Sequence, residues 1–203
     1  AFFWHGHFCS EFSKVGSSML MREQIDLWRN EGLGNIRSLA TTMSTQVAMI
    51  RYLDNNQNKK SSPNQNFARE LMELFLLGVG NYTEADVEAS TAAWTGHSDQ
   101  WDDEVAPYRW RPEWHDSSPK DFLGRRINTD ADPAVWPSHG PETIAVMLGD
   151  GIVPSGADNV ANRGRPTRAV AAEFLSRKLW TSFATDTPPP AGVMTAMRDA
   201  LLA

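Results

Sequence analysis

The sequence of 203 residues lacks several features that would assign it to a class of protein. It contains one cysteine, Cys9, so no disulfide can form within the chain. No run approaches the roughly 18 consecutive apolar residues of a membrane span. The longest apolar stretch, 71–79, is interrupted by Glu73 and Gly78. We therefore predict no transmembrane segment.

Several familiar catalytic and cofactor motifs are also missing. The chain has no Gly-rich phosphate loop, no Gly-x-Ser-x-Gly turn, no Cys-x-x-Cys pair, no His-Glu-x-x-His helix and no calcium loop. The 19 Lys and Arg against 25 Asp and Glu give a net charge of −6, which removes the phosphate attraction used by most nucleic-acid binders. We expect no nucleotide cofactor and no nucleic-acid partner.

The composition that remains is that of a folded protein, with 41% hydrophobic and 22% charged residues. We predict a mainly α fold: an irregular helical bundle with a Trp/Pro-rich loop region that has room for one short β-hairpin. The prediction is a single domain, 1–203, made of a helical half (1–96), a loop-rich insert (97–141) and C-terminal helices (142–203). No start methionine opens the chain and no Gly or Pro ends its last helical pattern, so we expect truncation at both ends.

Local patterns place the helices within this outline. Apolar residues at steps of three and four predict helices over 36–53, 64–77, 142–148 and 167–183. Thr83 and Asp86 form a capping box that predicts a helix start, and Gly96 predicts its end. A last helix is predicted after Pro190.

The opening segment carries two histidines two residues apart, His5 and His7. On an extended chain the two imidazoles point the same way, whereas on a helix they are about 200° apart. The pair can therefore chelate a metal in an extended or turn conformation, with Gly6 leaving room for the ion. The alternative is that both histidines are hydrogen-bonded among the neighbouring aromatic side chains.

Two glutamates, Glu70 and Glu73, lie on the predicted helix 64–77. They border its predicted apolar face, which consists of Phe67, Leu71, Leu74 and Phe75. If both carboxylates are desolvated, their repulsion raises the pKa of one of them or attracts a cation. The alternative is that Arg69, four residues before Glu73, neutralises it as a surface ion pair.

The loop region contains the sequence Trp114-His115-Asp116, followed by Lys120. A carboxylate beside an imidazole can orient it for metal binding or catalysis. The alternative is a solvated turn in which Asp116 caps the backbone. Tyr108, Trp110 and Trp114 alternate as in a short hairpin.

Two further histidines, His97 and His139, have no partner at an informative spacing. We predict that both lie on the surface.

Several strings together resemble a bacterial family of unknown function, catalogued as domain of unknown function number eighteen hundred. They cover the segments 3–8, 49–55, 64–87, 95–96, 115–120 and 174–183. The most specific is Asn-x-Asn-x-Ala-Arg-Glu-x-x-Glu-Leu-Phe-x-Leu-Gly, which starts at Asn64. The resemblance implies an extracytoplasmic location, in the periplasm or cell envelope, and an exported partner protein encoded nearby. The chain departs from the usual family pattern at Gly6 and His97.

These observations lead to two hypotheses of different classes. The first is an exported, metal-dependent enzyme, a hydrolase using zinc, manganese or iron. Its predicted metal ligands are His5, His7, Glu70, Glu73 and His115. Its predicted catalytic residues are Glu70, Glu73 and Asp116. Its predicted substrate-binding residues are Trp110, Trp114, Arg69 and Lys120.

The second hypothesis is a non-catalytic envelope scaffold, or a glycan-binding protein, that acts with the exported partner. Indole rings offer flat apolar faces for sugars, and Trp101, Trp110 and Trp114 would form that surface. In this case Arg69, Glu70 and Glu73 lock helix to helix, and the histidines are only hydrogen-bonded.

Overall fold

The computed structural model describes residues 1–100 and 107–202, and it is mainly α, as predicted. Its α-helices are α1 (Phe2–His7), α2 (Phe12–Val15), α3 (Ser18–Glu31), α4 (Ile36–Thr45), α5 (Val47–Tyr52), α6 (Asn66–Glu70), α7 (Glu84–Ala93), α8 (His139–Met147), α9 (Thr167–Phe183) and α10 (Ala191–Leu202). A π-helical segment spans Leu71–Leu76. Short 3₁₀ turns lie at Asn55–Gln57, Pro112–Trp114, Trp136–Ser138 and Val160–Asn162. None of the described helices combines the length and apolar character that a membrane crossing requires.

The Trp/Pro-rich region supplies two antiparallel strand pairs. These are β1 (His97–Asp99) with β2 (Tyr108–Trp110), and β3 (Lys120–Phe122) with β4 (Arg125–Ile127). Trp110 lies opposite His97, and Tyr108 lies opposite Asp99. The predicted hairpin is confirmed for Tyr108 and Trp110, but Trp114 lies outside it because a 3₁₀ turn begins at Pro112. Trp101 lies outside the described residues.

The predicted helix 36–53 is interrupted at Gln46, whose φ of −68° and ψ of 136° are extended. Thr45 stands just before the break, and its hydroxyl donates to the Thr42 carbonyl oxygen at 3.0 Å, in competition with the regular helical bonds. The apolar stripe survives the break. Its buried members are Leu39, Met43, Val47, Ile50 and Leu53.

The core is centred on Trp94, the largest fully buried side chain among the described residues. Its ring lies 4.8 Å from that of Phe67, and its indole N–H donates to Thr143 Oγ1 at 3.0 Å. Gly140 permits this close approach, because a Cβ atom there would lie 2.7 Å from the indole. Helices α6, α7 and α8 therefore meet around one aromatic ring.

A buried ion pair connects Arg51 with Asp99. The guanidinium Nε donates to the carboxylate at 2.5 Å, and the side chains are 6% and 7% exposed. Arg51 Nη1 also donates to the Val15 carbonyl oxygen at 3.0 Å. Through this one side chain, α5 is joined to β1 and to α2.

Asp86 connects the start of α7 to the turn between β3 and β4. It completes the predicted capping box, which is confirmed: Asp86 Oδ2 accepts from the Thr83 backbone N–H at 2.8 Å. Its other oxygen, Oδ1, accepts from the Leu123 backbone N–H at 2.8 Å. Leu123 and Gly124 have φ of 47° and 74°, as in a two-residue hairpin turn. The buried Asp86 carboxylate thus supports a turn in which leucine adopts an unusual conformation.

We predict that Asp86→Ala lowers the free energy of unfolding by about 2–4 kcal/mol, because it removes a helix cap and leaves the buried Leu123 N–H without an acceptor. Urea unfolding followed by circular dichroism measures the change. Glu88→Ala, at an exposed position of the same helix, is the matched control and should change stability by less than about 0.5 kcal/mol. Equal effects of the two substitutions would contradict the bridging role.

Candidate functional site

The helix that carries the two predicted catalytic glutamates changes type at Glu70. α6 ends there and continues as the π-helical segment Leu71–Leu76, a rare geometry that often occurs at functional sites. A π turn contains one residue more than an α turn, so the side chains beyond Glu70 change face. Leu74, predicted on the apolar face, is 46% exposed, whereas Met72 and Leu76 are buried.

Glu70 and Glu73 interact electrostatically on this helix. Burial raises the pKa of Glu70 above its usual range, the charge of Glu73 raises it further, and Arg69 lowers it. Glu73 accepts a hydrogen bond from the Tyr82 hydroxyl at 2.5 Å. The expected repulsion between the two carboxylates is present, and Glu70 is the group whose pKa it raises.

Arg69 does not pair with Glu73, so the alternative based on spacing is wrong. Its guanidinium reaches across to the first residue of α7, where Nη1 and Nη2 donate to the two Glu84 oxygens at 2.9 and 2.7 Å. Glu73 instead has the Tyr82 hydroxyl as its partner. Arg69, predicted to bind substrate, joins α6 to α7 in a solvent-exposed fork.

Carbonyl groups of the π-helical segment receive hydrogen bonds from distant side chains. His7 Nε2 donates to the Phe75 oxygen at 2.8 Å, and Lys178 Nζ donates to the Leu74 oxygen at 2.9 Å. A carbonyl oxygen only accepts, so the His7 proton is on Nε2 and Nδ1 is unprotonated. Burial, and secondarily the charge of Lys178, lowers the pKa of His7 to about 4. His7 is a neutral donor to the backbone.

His5 and His7 are not brought together by the structure. The opening segment forms α1 rather than the extended chain that chelation requires, so the two imidazoles point to different sides. His5 is exposed, and its ring meets the edge of Trp28 at 5.4 Å between centroids. His7 is buried and stacks on Phe3 at 5.4 Å.

The third predicted constellation contains a hydrogen-bonded pair of histidines. His115 Nδ1 lies 2.9 Å from the Thr95 carbonyl oxygen, and His115 Nε2 lies 2.9 Å from His139 Nδ1. The carbonyl oxygen fixes the proton of His115 on Nδ1, so His139 must donate from its own Nδ1. Nε2 of His139 is then an unprotonated nitrogen, buried and without a hydrogen-bond partner in the described part of the chain.

His97 and His139 are not surface residues, so that prediction is wrong: they are 1% and 2% exposed. His97 is covered by the β1–β2 pairing, and its Nδ1 lies 3.0 Å from the Tyr108 hydroxyl. Its ring contacts Trp94 and Trp110, with centroids 4.8 and 5.1 Å apart. We call His97, His115 and His139 the histidine cluster. Sequence reasoning singled out His115 but not its two partners, because His97 and His139 come from other segments of the chain.

Asp116 does not orient His115. Its Oδ1 accepts from the Ser118 backbone N–H at 3.0 Å and pairs with Lys120 Nζ at 3.0 Å. These contacts correspond to the alternative, in which Asp116 caps a turn. The group that orients His115 is the Thr95 carbonyl.

The two predicted binding tryptophans differ in their surroundings. Trp110 is half-buried, and its ring lies 5.0 Å from His115, as part of the wall of the histidine cluster. Trp114 has Lys59 Nζ 4.0 Å and the Arg111 guanidinium 4.5 Å from its ring centroid. Cations thus already contact the indole that the sequence suggested for a sugar.

The predicted metal ligands are not assembled around one point. Over residues 1–100 and 107–202, no three His, Cys, Asp or Glu side chains are arranged to hold a metal ion. His115 lies with His139, and His7 lies against the Phe75 carbonyl. Glu70 and Glu73 are the ones that remain together, and they offer at most two carboxylates to a cation. The histidine cluster offers one buried base, His139 Nε2.

The comparison with known families decides the classification. Residues 1–202 match the family described as "Protein of unknown function (DUF1800)". The chain belongs to the DUF1800 family. This confirms the resemblance seen in the sequence strings. No curated protein and no solved structure matches the DUF1800 chain.

We predict that the DUF1800 chain loses stability as the pH falls from 7 to 5. Burial holds the pKa of His115 at about 4 and that of His97 at about 3, as it does for His7. The unfolded chain binds these protons near pH 6.5, whereas the folded chain does not. The stability is fully present above that pH and is lost below it, by up to about 1.4 kcal/mol per pH unit for a fully buried histidine and by less for His115.

Urea unfolding at half-unit steps of pH measures this slope. His7→Gln should flatten the slope by the contribution of one histidine, whereas His5→Gln, at an exposed position of the same helix, should leave it unchanged. A His7→Gln variant with the slope of the wild type would contradict the assignment of His7 as a buried neutral donor.

Proposed function

We propose that this DUF1800 protein is a non-catalytic scaffold of the bacterial cell envelope. The proposal rests on one observation: the residues predicted to form a site make hydrogen bonds within the fold. His7 donates to the Phe75 carbonyl, His115 pairs with His139, and Glu73 accepts from a tyrosine. Side chains engaged in this way hold elements of the fold together.

These contacts join segments that are far apart in the sequence. The hydrogen bond of His7 crosses 68 residues, and that of His115 to His139 crosses 24. Arg69 joins α6 to α7 through Glu84. A set of residues that ties helices, strands and turns into one framework is what a rigid scaffold needs.

The extracytoplasmic location and the exported partner are part of the same proposal, and they rest on the family resemblance. A glycan-binding version has less support. Trp114 is contacted by two cations, and Trp110 forms part of the wall of the histidine cluster.

The second candidate is the metal-dependent hydrolase, and one observation favours it. Glu70 and Glu73 stand at the junction of an α-helix with a π-helical segment, and the pKa of Glu70 is raised by burial and by its neighbour. Such a carboxylate suits general acid–base chemistry or a shared cation. Zinc, manganese or iron would need further ligands from water or substrate at this position.

Metal analysis distinguishes the two candidates. We expect protein purified without a histidine tag or chelator to contain metal far below one ion per chain. His5→Ala and Glu70→Ala should leave that content unchanged. Stoichiometric metal that is lost in both variants would contradict the scaffold and support the hydrolase.

The scaffold also predicts a stability difference between the two histidines of α1. His7→Ala should lower the free energy of unfolding by about 2–4 kcal/mol, because it leaves a buried carbonyl without its donor and opens a cavity. His5→Ala should cost less than about 0.5 kcal/mol, because its side chain is exposed. Chemical unfolding of the metal-free proteins measures both values, and a His7→Ala protein as stable as His5→Ala would contradict the structural role.

A further inference from the structure

A cleft of 570 Å³ lies between α1 and the C-terminal half of α9. Its walls include the rings of Phe2, Phe3 and Phe174, and its volume is in the range that accommodates a small organic ligand. Phe2 is 86% exposed, and Phe183, whose ring lies 6.2 Å from that of Phe3, is 68% exposed. Aromatic rings so open to solvent mark a surface suited to binding.

The charge of this cleft is opposite to that of the chain as a whole. Arg177 and Lys178 line it, and no Asp or Glu does, although the chain carries a net charge of −6. The nearest carboxylate on the same helix, Glu173, already pairs with Arg165 at 2.6 Å. Arg177 has no carboxylate oxygen within 4.0 Å among the described residues. Arg177 lowers the pKa of Glu173 at longer range, but no carboxylate of the described residues occupies its N–H donors, which are open to an anion.

Lys178 keeps part of its hydrogen-bonding capacity. Its ammonium group donates to the Leu74 carbonyl oxygen and lies 4.9 Å from the Phe174 ring centroid. An ammonium group has three N–H donors, so two remain for a ligand. The cation is held at the edge of the aromatic wall, where an anionic group and an apolar body can be bound together.

His7 borders the same cleft, but neither of its ring nitrogens is open to a ligand. Its Nε2 donates to the Phe75 oxygen, and its unprotonated Nδ1 is buried and has no hydrogen-bond partner in the described part of the chain. The imidazole is 5% exposed. The part of the lining that a ligand can reach thus combines apolar rings and two cations.

We propose that the cleft between α1 and α9 binds an amphipathic organic anion. The apolar body lies against Phe2, Phe3 and Phe174. The carboxylate, sulfonate or phosphate group is bound by Arg177 and Lys178. This proposal goes beyond the scaffold function, since it gives a role to the exposed Phe2 ring and to the Arg177 guanidinium, which the scaffold proposal does not use.

Gly6 allows the cleft to be filled without disturbing its walls. Apart from its chain neighbours and the backbone of its own helix, no protein atom lies within 4 Å of the position that its Cβ would occupy. Gly6→Leu therefore projects a side chain into open space and also favours the helix. Gly192→Leu is the matched control, because Gly192 is helical, has equally open surroundings and lies outside the cleft lining.

Two fluorescent probes with similar apolar bodies test the proposal: 8-anilinonaphthalene-1-sulfonate, which carries an anionic group, and N-phenyl-1-naphthylamine, which is uncharged. We expect the wild type to bind the sulfonate more tightly than the amine. Gly6→Leu should lose at least about tenfold in affinity for both probes, whereas Gly192→Leu should bind as the wild type does. Circular dichroism confirms that each variant is folded.

Charge variants test the anionic half of the proposal. Arg177→Gln should weaken sulfonate binding by about tenfold, the effect of one charge-assisted hydrogen bond, and leave amine binding unchanged. Arg168→Gln, an exposed arginine nearer the start of α9, is the control and should change neither. Absence of sulfonate binding to the wild type, or wild-type affinity in a folded Gly6→Leu protein, would overturn the site. Unchanged sulfonate affinity in Arg177→Gln would overturn its selectivity for anions.

Discussion

The hydrogen bond from the His7 imidazole to the Phe75 carbonyl is the contact on which the arrangement of the opening helix depends. It reaches from α1 to the π-helical segment, where the change in helix type alters which side chains and carbonyl groups face outward. A buried carbonyl without a donor is costly, so the imidazole is held in one orientation and one tautomer. Burial keeps His7 neutral even though a bond donated to a carbonyl favours the protonated ring, and the helical geometry of α1 keeps His7 from chelating a metal together with His5.

Several histidine rings of this protein are buried in the uncharged form. The histidine cluster lies among Trp94, Trp110 and Trp136, where a charged imidazole would be poorly solvated. Arg51 and Asp99 follow a different rule, because their opposite charges compensate each other in the interior. In the acidic pair of Glu70 and Glu73, burial and the charge of Glu73 raise the pKa of Glu70 by more than Arg69 lowers it. Electrostatic strain is therefore concentrated on one helix.

The sequence predicted the helices well where the period was regular and the caps were local. Thr167–Phe183 has the predicted bounds, and the box of Thr83 with Asp86 forms as expected. The helix predictions failed where a distant contact or a change of helix type decides which residues are helical or buried. The π-helical segment exposes Leu74, and the Thr45 hydroxyl precedes a break that the apolar period did not reveal.

Local patterns likewise predicted only part of the candidate site. His115 and Trp110 were singled out from local composition, and both belong to the histidine cluster. His97 and His139 were missed because their partners come from other segments, which no local spacing can show. Arg69 was assigned to the wrong glutamate because residue spacing along one helix takes no account of partners from elsewhere. Glu84 pairs with Arg69, and the Tyr82 hydroxyl donates to Glu73.

The cleft between α1 and α9 is built from the first helix and from one near the other end of the chain. During synthesis on the ribosome, Phe2 and Phe3 emerge long before the residues that complete their surroundings. Until α9 has emerged, these rings present an apolar surface to any chaperone that is nearby. A ligand that needs both walls can associate only after α9 has been synthesised, so occupancy of the cleft would report that translation has passed α9.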